Sequence, residues 1–222
     1  MIITIDGPSG AGKSTVSRGL AKHLSFTYLD TGAMYRAVAL AAYTAGVGVE
    51  DHKKISEICT SADIWFKGDF DSSRIIMNGE DVSEAIRTPV MDMQASLISA
   101  VYVVREKMTL LQRSIGAKGN IVAEGRDMGT VVFPDADIKF FLSADIAARV
   151  ERRYHERLSK GENISKEDIE KDILQRDKQD SSREIAPLTA ATDAIYIDSS
   201  KMSAEDVINL MLDKIKKIPP CT

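Results

Sequence analysis

The stretch Gly7-Pro8-Ser9-Gly10-Ala11-Gly12-Lys13-Ser14-Thr15 constrains this chain more than any other. Its fixed positions follow the pattern G-x-x-x-x-G-K-[ST]. The preceding Met1-Ile2-Ile3-Thr4-Ile5-Asp6 is apolar and β-branched, which reads as a buried strand. Beyond the stretch, Val16, Leu20 and Leu24 recur at i, i+4 and i+8, one face of a helix. Strand, glycine turn and helix are the setting in which such a loop wraps a phosphate. Glycines let the backbone curl so that its N–H groups approach a polyphosphate. The helix start points the positive end of its dipole at the same anion. Lys13 then reaches the β- and γ-phosphates, and the Ser14 hydroxyl ligates Mg2+. An ordinary glycine-rich turn between strand and helix would not need every fixed position. The use made of the phosphate stays open, because GTPases, motor ATPases and small-molecule kinases share the loop.

A length of 222 residues suits one sizeable domain, or one domain with insertions. Apolar residues make up 44% and charged residues 28%, ordinary for a soluble globular chain. The net charge of −4 gives no global basic field for nucleic acid, although a local basic pocket is allowed. The two cysteines, Cys59 and Cys221, have no motif spacing and read as unpaired thiols. The three histidines, His23, His52 and His155, are scattered and read as surface or partly packed residues, not metal ligands. No charged n-region precedes the first strand, and no apolar run approaches a membrane span, so the expected compartment is the cytoplasm.

Further strands are expected at Thr27–Asp30, Ile121–Ala123, Ile138–Leu142 and Ile195–Ile197. A helix is expected from about Ala33 to Ala45, with Gly46 as its C-terminal stop. A charged segment leads from there to Ile55 and Ile58. Between about Ala62 and Arg87 the character changes to short strands, Asp63–Lys67 and Arg74–Met77. They are separated by Gly68–Ser73 and followed by the tight-turn pair Asn78-Gly79. This reads as a small antiparallel insert that must lean on the main body. Two helical stretches come next, the second with Val104, Met108, Leu111 and Ile115 as its apolar stripe and Gly116 and Gly119 bracketing its end. Ser143 is placed to cap a helix from Ala144 to about Leu158. Ser165-Lys166-Glu167-Asp168 resembles a capping box with Asp for Glu. Ser203 opens a C-terminal helix with Val207, Met211 and Ile215 inward, stopped by Pro219-Pro220. Five strands alternating with helices predict an α/β fold with a parallel sheet covered on both faces. Ligands in such sheets bind at the strands' C-terminal ends.

Four polar constellations lie near that edge. Arg36, five residues past the Thr31-Gly32 turn, would bring a guanidinium toward the phosphates or sit as a solvated helix residue. Gly125-Arg126-Asp127 follows the third core strand, and Glu124 before it stands where a metal-associated acid is often held. Arg176, Asp180 and Arg183, at +4 and +3, share one helix face with Ile169 and Ile173. An exposed ion-pair ladder is the alternative there. Arg149, Arg153 and Arg157 recur at +4 steps beside Arg152. They form either a solvated basic face or arginines that close over a migrating phosphoryl group. The polar break Lys160-Gly161-Glu162-Asn163 would suit a mobile lid.

With these residues in place, the chain closely resembles the bacterial cytidylate (CMP/dCMP) kinases of the nucleoside monophosphate kinase group. The match runs through Ile3–Lys13, then Asp30-Thr31-Gly32 with Tyr35-Arg36, the long run Gly125–Ala136, and Arg176-Asp177, Asp180, Arg183 and Ala186-Pro187-Leu188. The resemblance implies a five-stranded P-loop kinase domain over 1–222, its core at about 1–61, 89–153 and 167–222. A CMP-binding insert would occupy about 62–88 and a short helical lid about 154–166. It implies transfer of the ATP γ-phosphoryl to CMP or dCMP with Mg2+. The expected partners are thus small nucleotides, with no nucleic acid and no membrane, and the chain is expected to act as a monomer. It assigns Gly7 through Thr15 to ATP, Ser14 to the metal, and Lys13, Arg126, Arg149, Arg153 and Arg157 to catalysis. Arg36, Arg126 and Arg183 would hold the monophosphate, Arg176 and Asp180 the sugar, and Ser96, Arg105 and Asp127 the cytosine. Two departures matter little: Thr31 stands where many relatives have Ser, preserving the hydroxyl, and Glu124 where Asp is common, one methylene longer. The rivals are a uridylate or adenylate kinase, or a GTPase-like switch. The chain carries neither the N-K-x-D nor the D-x-x-G motif of the last.

Overall fold

A computed structural model describes residues 1–68 and 74–217. In chain order its elements are β1 (Ile2–Asp6), α1 (Lys13–Leu24), β2 (Thr27–Asp30), α2 (Thr31–Thr44), α3 (His52–Ser61), β3 (Ile64–Lys67), β4 (Arg74–Met77) and β5 (Glu80–Asp81). There follow α4 (Pro89–Ile98), α5 (Tyr102–Gly116), β6 (Ile121–Gly125), β7 (Ile138–Ser143), α6 (Ile146–Ser159), α7 (Lys166–Ser182), β8 (Ile195–Asp198) and α8 (Ala204–Ile215). A π-helical turn, Met128–Val132, lies between β6 and β7. The 69–73 connection, the Pro219-Pro220 stop and Cys221 lie outside the described residues.

The parallel sheet runs in the order β2-β6-β1-β7-β8, and β1 pairs with both β6 and β7. Alternation along the strands divides the core in two. Ile3, Ile5, Val122, Phe140 and Leu142 face α1 and α8. Leu29, Ile121 and Ala123 face the other way, toward α2, α4 and α5. Both faces are therefore covered, as the sequence predicts. Val207, Met211 and Ile215 of α8 point inward. Among the described residues no helix is long and apolar enough to cross a membrane. The three histidines are exposed and Cys59 is buried.

The insert is a three-stranded antiparallel sheet, β3-β4-β5. Asn78 (φ 52°) and Gly79 (φ 85°) both take left-handed backbone in the hairpin between β4 and β5. Ile64, Ile75, Val82 and Ile86 pack into the same cluster as α2. The α6–α7 pair instead builds a core of its own from Val150, Ile169 and Ile173. That arm is not tied into either main cluster.

Several local readings change. The segment around Ile55 and Ile58 is a full helix, α3, capped by the Asp51 carboxylate on the Lys54 N–H. Helix α2 starts at Thr31, two residues earlier than expected, because the Asp30 carboxylate caps it through the Ala33 N–H at 2.8 Å. Ser143 does not cap α6. It still belongs to β7, paired with Asp198, and Asp145 caps the helix through the Ala148 N–H at 2.7 Å. At Ser165 the hydroxyl accepts the Asp168 N–H, while the Asp168 carboxylate takes the Ser165 hydroxyl proton. The reciprocal capping box forms at Ser203 and Asp206. Arg183 lies just past the end of α7 in extended backbone, not on its face.

Candidate active site

The glycine loop owes its path to close packing. A Cβ on Gly7 would lie 2.0 Å from the Leu142 carbonyl oxygen, and φ there is 153°, so only glycine lets β1 turn beside β7. Gly12 (φ 90°) then starts α1. Two neighbours fix the loop from above. The Ser9 N–H donates to Asp177 at 2.9 Å, and Arg149 donates to the Ser9 carbonyl at 3.1 Å. Arg149 also pairs with Asp177.

The loop forms one wall of a cavity of about 580 Å3 at the C-terminal edge of the sheet. Residues Ser9 to Thr15 line it, with Gly7 and Pro8 behind. Arg36, Ser96, Arg105, Arg126, Asp127, Arg176, Asp180 and Arg183 meet there as expected, with Arg153. The arginine stripe of α6 divides. Arg153 lines the cavity, as does Arg152, which the sequence reading left without a role. Arg149 and Arg157 are buried away from it. Arg157 is held by Glu162 at 2.8 Å.

Ten lysines and arginines face this cavity against six carboxylates, in a chain whose net charge is −4. The imbalance is felt by the groups themselves. Burial, then the nearby Arg126, holds the Lys13 ammonium well below its ordinary range, and it donates to the Pro8 carbonyl at 2.7 Å. Burial and Arg126 likewise lower Arg176 to about 10, and burial lowers Arg183. Buried guanidinium nitrogens of Arg36, Arg176 and Arg183 have no acceptor among the described residues. Such a cluster is stabilised by polyanions.

The carboxylates distribute the arginines. Asp180 accepts from Arg126 at 2.7 Å and from Ser96 at 3.3 Å. Burial opposes its charge, but Arg126, Arg176 and Arg183 keep its pKa below the ordinary carboxylate range. Asp92, near the start of α4, is approached by Arg36 and Arg176 at 3.6 Å each and pairs with Arg153. It thus gathers arginines from α2, α7 and α6. Sequence reasoning missed Asp92, which nothing local marks, and gave no separate role to Asp177, although it stands in the matched Arg176-Asp177 pair. At the far side Arg105 pairs with Asp127 at 3.0 Å, and both are buried. The single Ser96 hydroxyl proton is shared between Gln179 Oε1 at 3.0 Å and Asp180 at 3.3 Å, which leaves the oxygen lone pairs to accept.

Beside the loop, Glu124 is buried, accepts the Tyr28 hydroxyl and is linked to Ser14. Burial, then the Asp30 charge, raises its pKa. The Glu124 carboxylate and the Ser14 hydroxyl at the start of α1 are hard oxygen donors for a small divalent cation. Among the described residues no three Asp, Glu, His or Cys side chains converge into a cage.

A family model described as cytidylate kinase matches residues 3–217. The chain belongs to the cytidylate kinase family. A protein named cytidylate kinase from a Geobacter species is 48% identical, over 98% of this chain and 93% of its own. The cytidylate kinase of Carboxydothermus hydrogenoformans is 47% identical, over 97% of both chains. Among solved structures, an uncharacterized protein from Eubacterium ventriosum has a TM-score of 0.56 at 13% identity. The likeness covers 98% of this chain and 99% of that one, and it concerns the fold alone. As a cytidylate kinase family member, the chain is an ATP-dependent nucleoside monophosphate kinase.

Proposed function

We propose that the chain transfers the γ-phosphoryl group of ATP to CMP or dCMP, giving ADP and the diphosphate. The observation that carries this reading is one cavity with a buried cationic centre between a phosphate loop and the Arg105–Asp127 pair. ATP phosphates lie in the loop against Lys13. The acceptor phosphate lies among Arg36, Arg126 and Arg183, the sugar near Arg176 and Asp180, and the cytosine against Arg105, Asp127 and Ser96. In the ligand-free arrangement Asp180 is occupied by Arg126 and Ser96, so its contact to the sugar is shared. The β3–β5 insert and its flanks serve the CMP side, and 154–166 is the movable end of the α6–α7 arm.

The acceptor is a phosphate oxygen, largely deprotonated near neutral pH, so no strong general base is needed. The residues contribute position, charge neutralisation and exclusion of water. Lys13 and Arg126 bracket the transferring group, and Arg152 and Arg153 approach it from α6. Ser14, with Glu124 and Asp30 nearby, would hold Mg2+, which supplies charge neutralisation on the polyphosphate. Diphosphate formation from ATP with CMP, dCMP, UMP and AMP tests the assignment. Faster use of UMP or AMP than of CMP would refute it.

The split stripe gives a separate expectation. Arg153→Ala lowers kcat more than it weakens CMP binding, because Arg153 faces the cavity. Arg149→Ala, which unties both Ser9 and Asp177, chiefly lowers thermal stability, by roughly 1–3 kcal/mol. Steady-state kinetics and melting curves on the two variants separate these effects. If no alanine variant at Arg149, Arg153 or Arg157 changes kcat, none of these three arginines plays a part in transfer.

A further inference from the structure

Asp127 begins the π-helical turn Met128–Val132 as its N-cap residue, yet its side chain caps nothing. An aspartate in that position ordinarily folds its carboxylate back onto the first free N–H groups. Here those N–H groups are taken from another part of the chain. Asp6, the last residue of β1, accepts the Met128 N–H at 2.9 Å through Oδ1 and the Gly129 N–H at 2.8 Å through Oδ2. Asp6 is 3% exposed. Ile3 and Ile5 enter the core on the α1–α8 face, so alternation turns Thr4 and Asp6 toward the turn. The fit is close. A Cβ on Gly129 would meet the Thr4 hydroxyl at 3.0 Å and the Lys139 side chain at 3.1 Å. Burial pushes Asp6 up to about 6, and the two backbone hydrogen bonds work against that rise. Asp127 and Lys13 are the charged groups that act on it.

We propose that Asp6 is a positioning residue for base selection: it caps the turn in place of Asp127, which leaves the Asp127 carboxylate free to meet Arg105 and the cytosine. It also ties the first residue of the phosphate loop, Gly7, to the base-reading turn through one side chain. Asp6 does not line the cavity and acts only through the turn. This inference rests on the reading of Asp127 as a base-reading residue.

Asp6→Asn is the direct test. An asparagine offers one acceptor oxygen to two N–H donors and sets its own NH2 against the second. The uncapped N–H then draws the Asp127 carboxylate back onto the turn. The expected result is a fall of about tenfold in kcat/KM for CMP, carried mainly by KM for CMP. KM for ATP stays within about twofold, and the ratio of kcat/KM for CMP over UMP narrows. That ratio does not depend on the folded fraction, so loss of stability alone leaves it unmoved. Should Asp6→Asn fold too poorly to assay, Asp6→Ser, whose hydroxyl accepts a single N–H, is read by the same ratio. Asp127→Asn is measured alongside. A narrowed ratio in both the Asp6 and Asp127 variants supports the proposal. A narrowed ratio in Asp127→Asn with an unchanged ratio in the Asp6 variants overturns it and leaves base reading by Asp127 standing. An unchanged ratio in all of them overturns both.

Discussion

Lys13→Met lowers turnover at least about a hundredfold, the effect of removing one preorganised donor from a developing negative charge. Lys13 starts α1, is 7% exposed and donates to the Pro8 carbonyl. Burial and Arg126 make its charge costly in the ligand-free chain. Methionine has a similar length and no charge. The ligand-free variant therefore melts no lower than the parent, because the uncompensated buried cation is gone. ATP, in contrast, raises the melting temperature of the variant less than that of the parent. A coupled assay and melting curves with and without ATP read both effects. A well-folded variant with near-normal turnover would remove Lys13 from the mechanism.

Asp127→Asn cuts kcat/KM for CMP steeply and narrows the preference over UMP. Cytosine presents an amino donor where uracil presents a carbonyl, so a carboxylate suits the first and repels the second. Arg105, paired with Asp127 at 3.0 Å, would on the proposed reading donate to the O2 and N3 acceptors of cytosine. UMP would set O4 against the carboxylate and N3–H against Arg105. Each mismatch leaves a buried polar group unpaired, at about 1–3 kcal/mol. Asparagine can turn its amide NH2 toward O4, so UMP recovers while CMP loses. Asp127→Ala leaves Arg105 as a buried, unpaired charge, which costs about 3–5 kcal/mol of stability. The asparagine variant is the cleaner reporter for that reason. Steady-state kinetics with both nucleotides decide the matter. An unchanged ratio would mean that Asp127 serves only to orient Arg105 or the turn.

The electrostatics of the cavity bear on both results. Lys13, Arg176 and Arg183 all lie below their ordinary ranges, and burial is the first cause in each case. Asp180 and Asp92 lie below theirs because arginines surround them. The folded chain thus stores a cationic centre only partly neutralised by its own carboxylates. On the proposed reading nucleotide phosphates would complete that neutralisation, so that substrate binding and stability rise together.

The glycine loop, the parallel sheet and the antiparallel insert were legible in the amino-acid sequence alone. Each is written in short-range terms: glycine at positions of unusual φ, apolar residues at period two, and Asn-Gly in a hairpin. The helix caps were half legible, since Ser203 caps as expected whereas Asp145, not Ser143, caps α6. A continuing strand pair with β8 decided that case. The arginine stripe of α6 reads as one set at +4 steps, yet packing against α7 buries Arg149 and Arg157 and leaves Arg152 and Arg153 to the cavity. Asp92 carries no local signal, and Asp6 and Asp177, though they stand in matched motifs, carry none that says which donors they hold. Their partners lie 61 residues away for the Arg153 bond to Asp92, 168 for the Ser9 bond to Asp177, and 122 for the Met128 bond to Asp6. A carboxylate's role is set by which donors reach it in a buried, low-dielectric place, and only the folded chain brings those donors together.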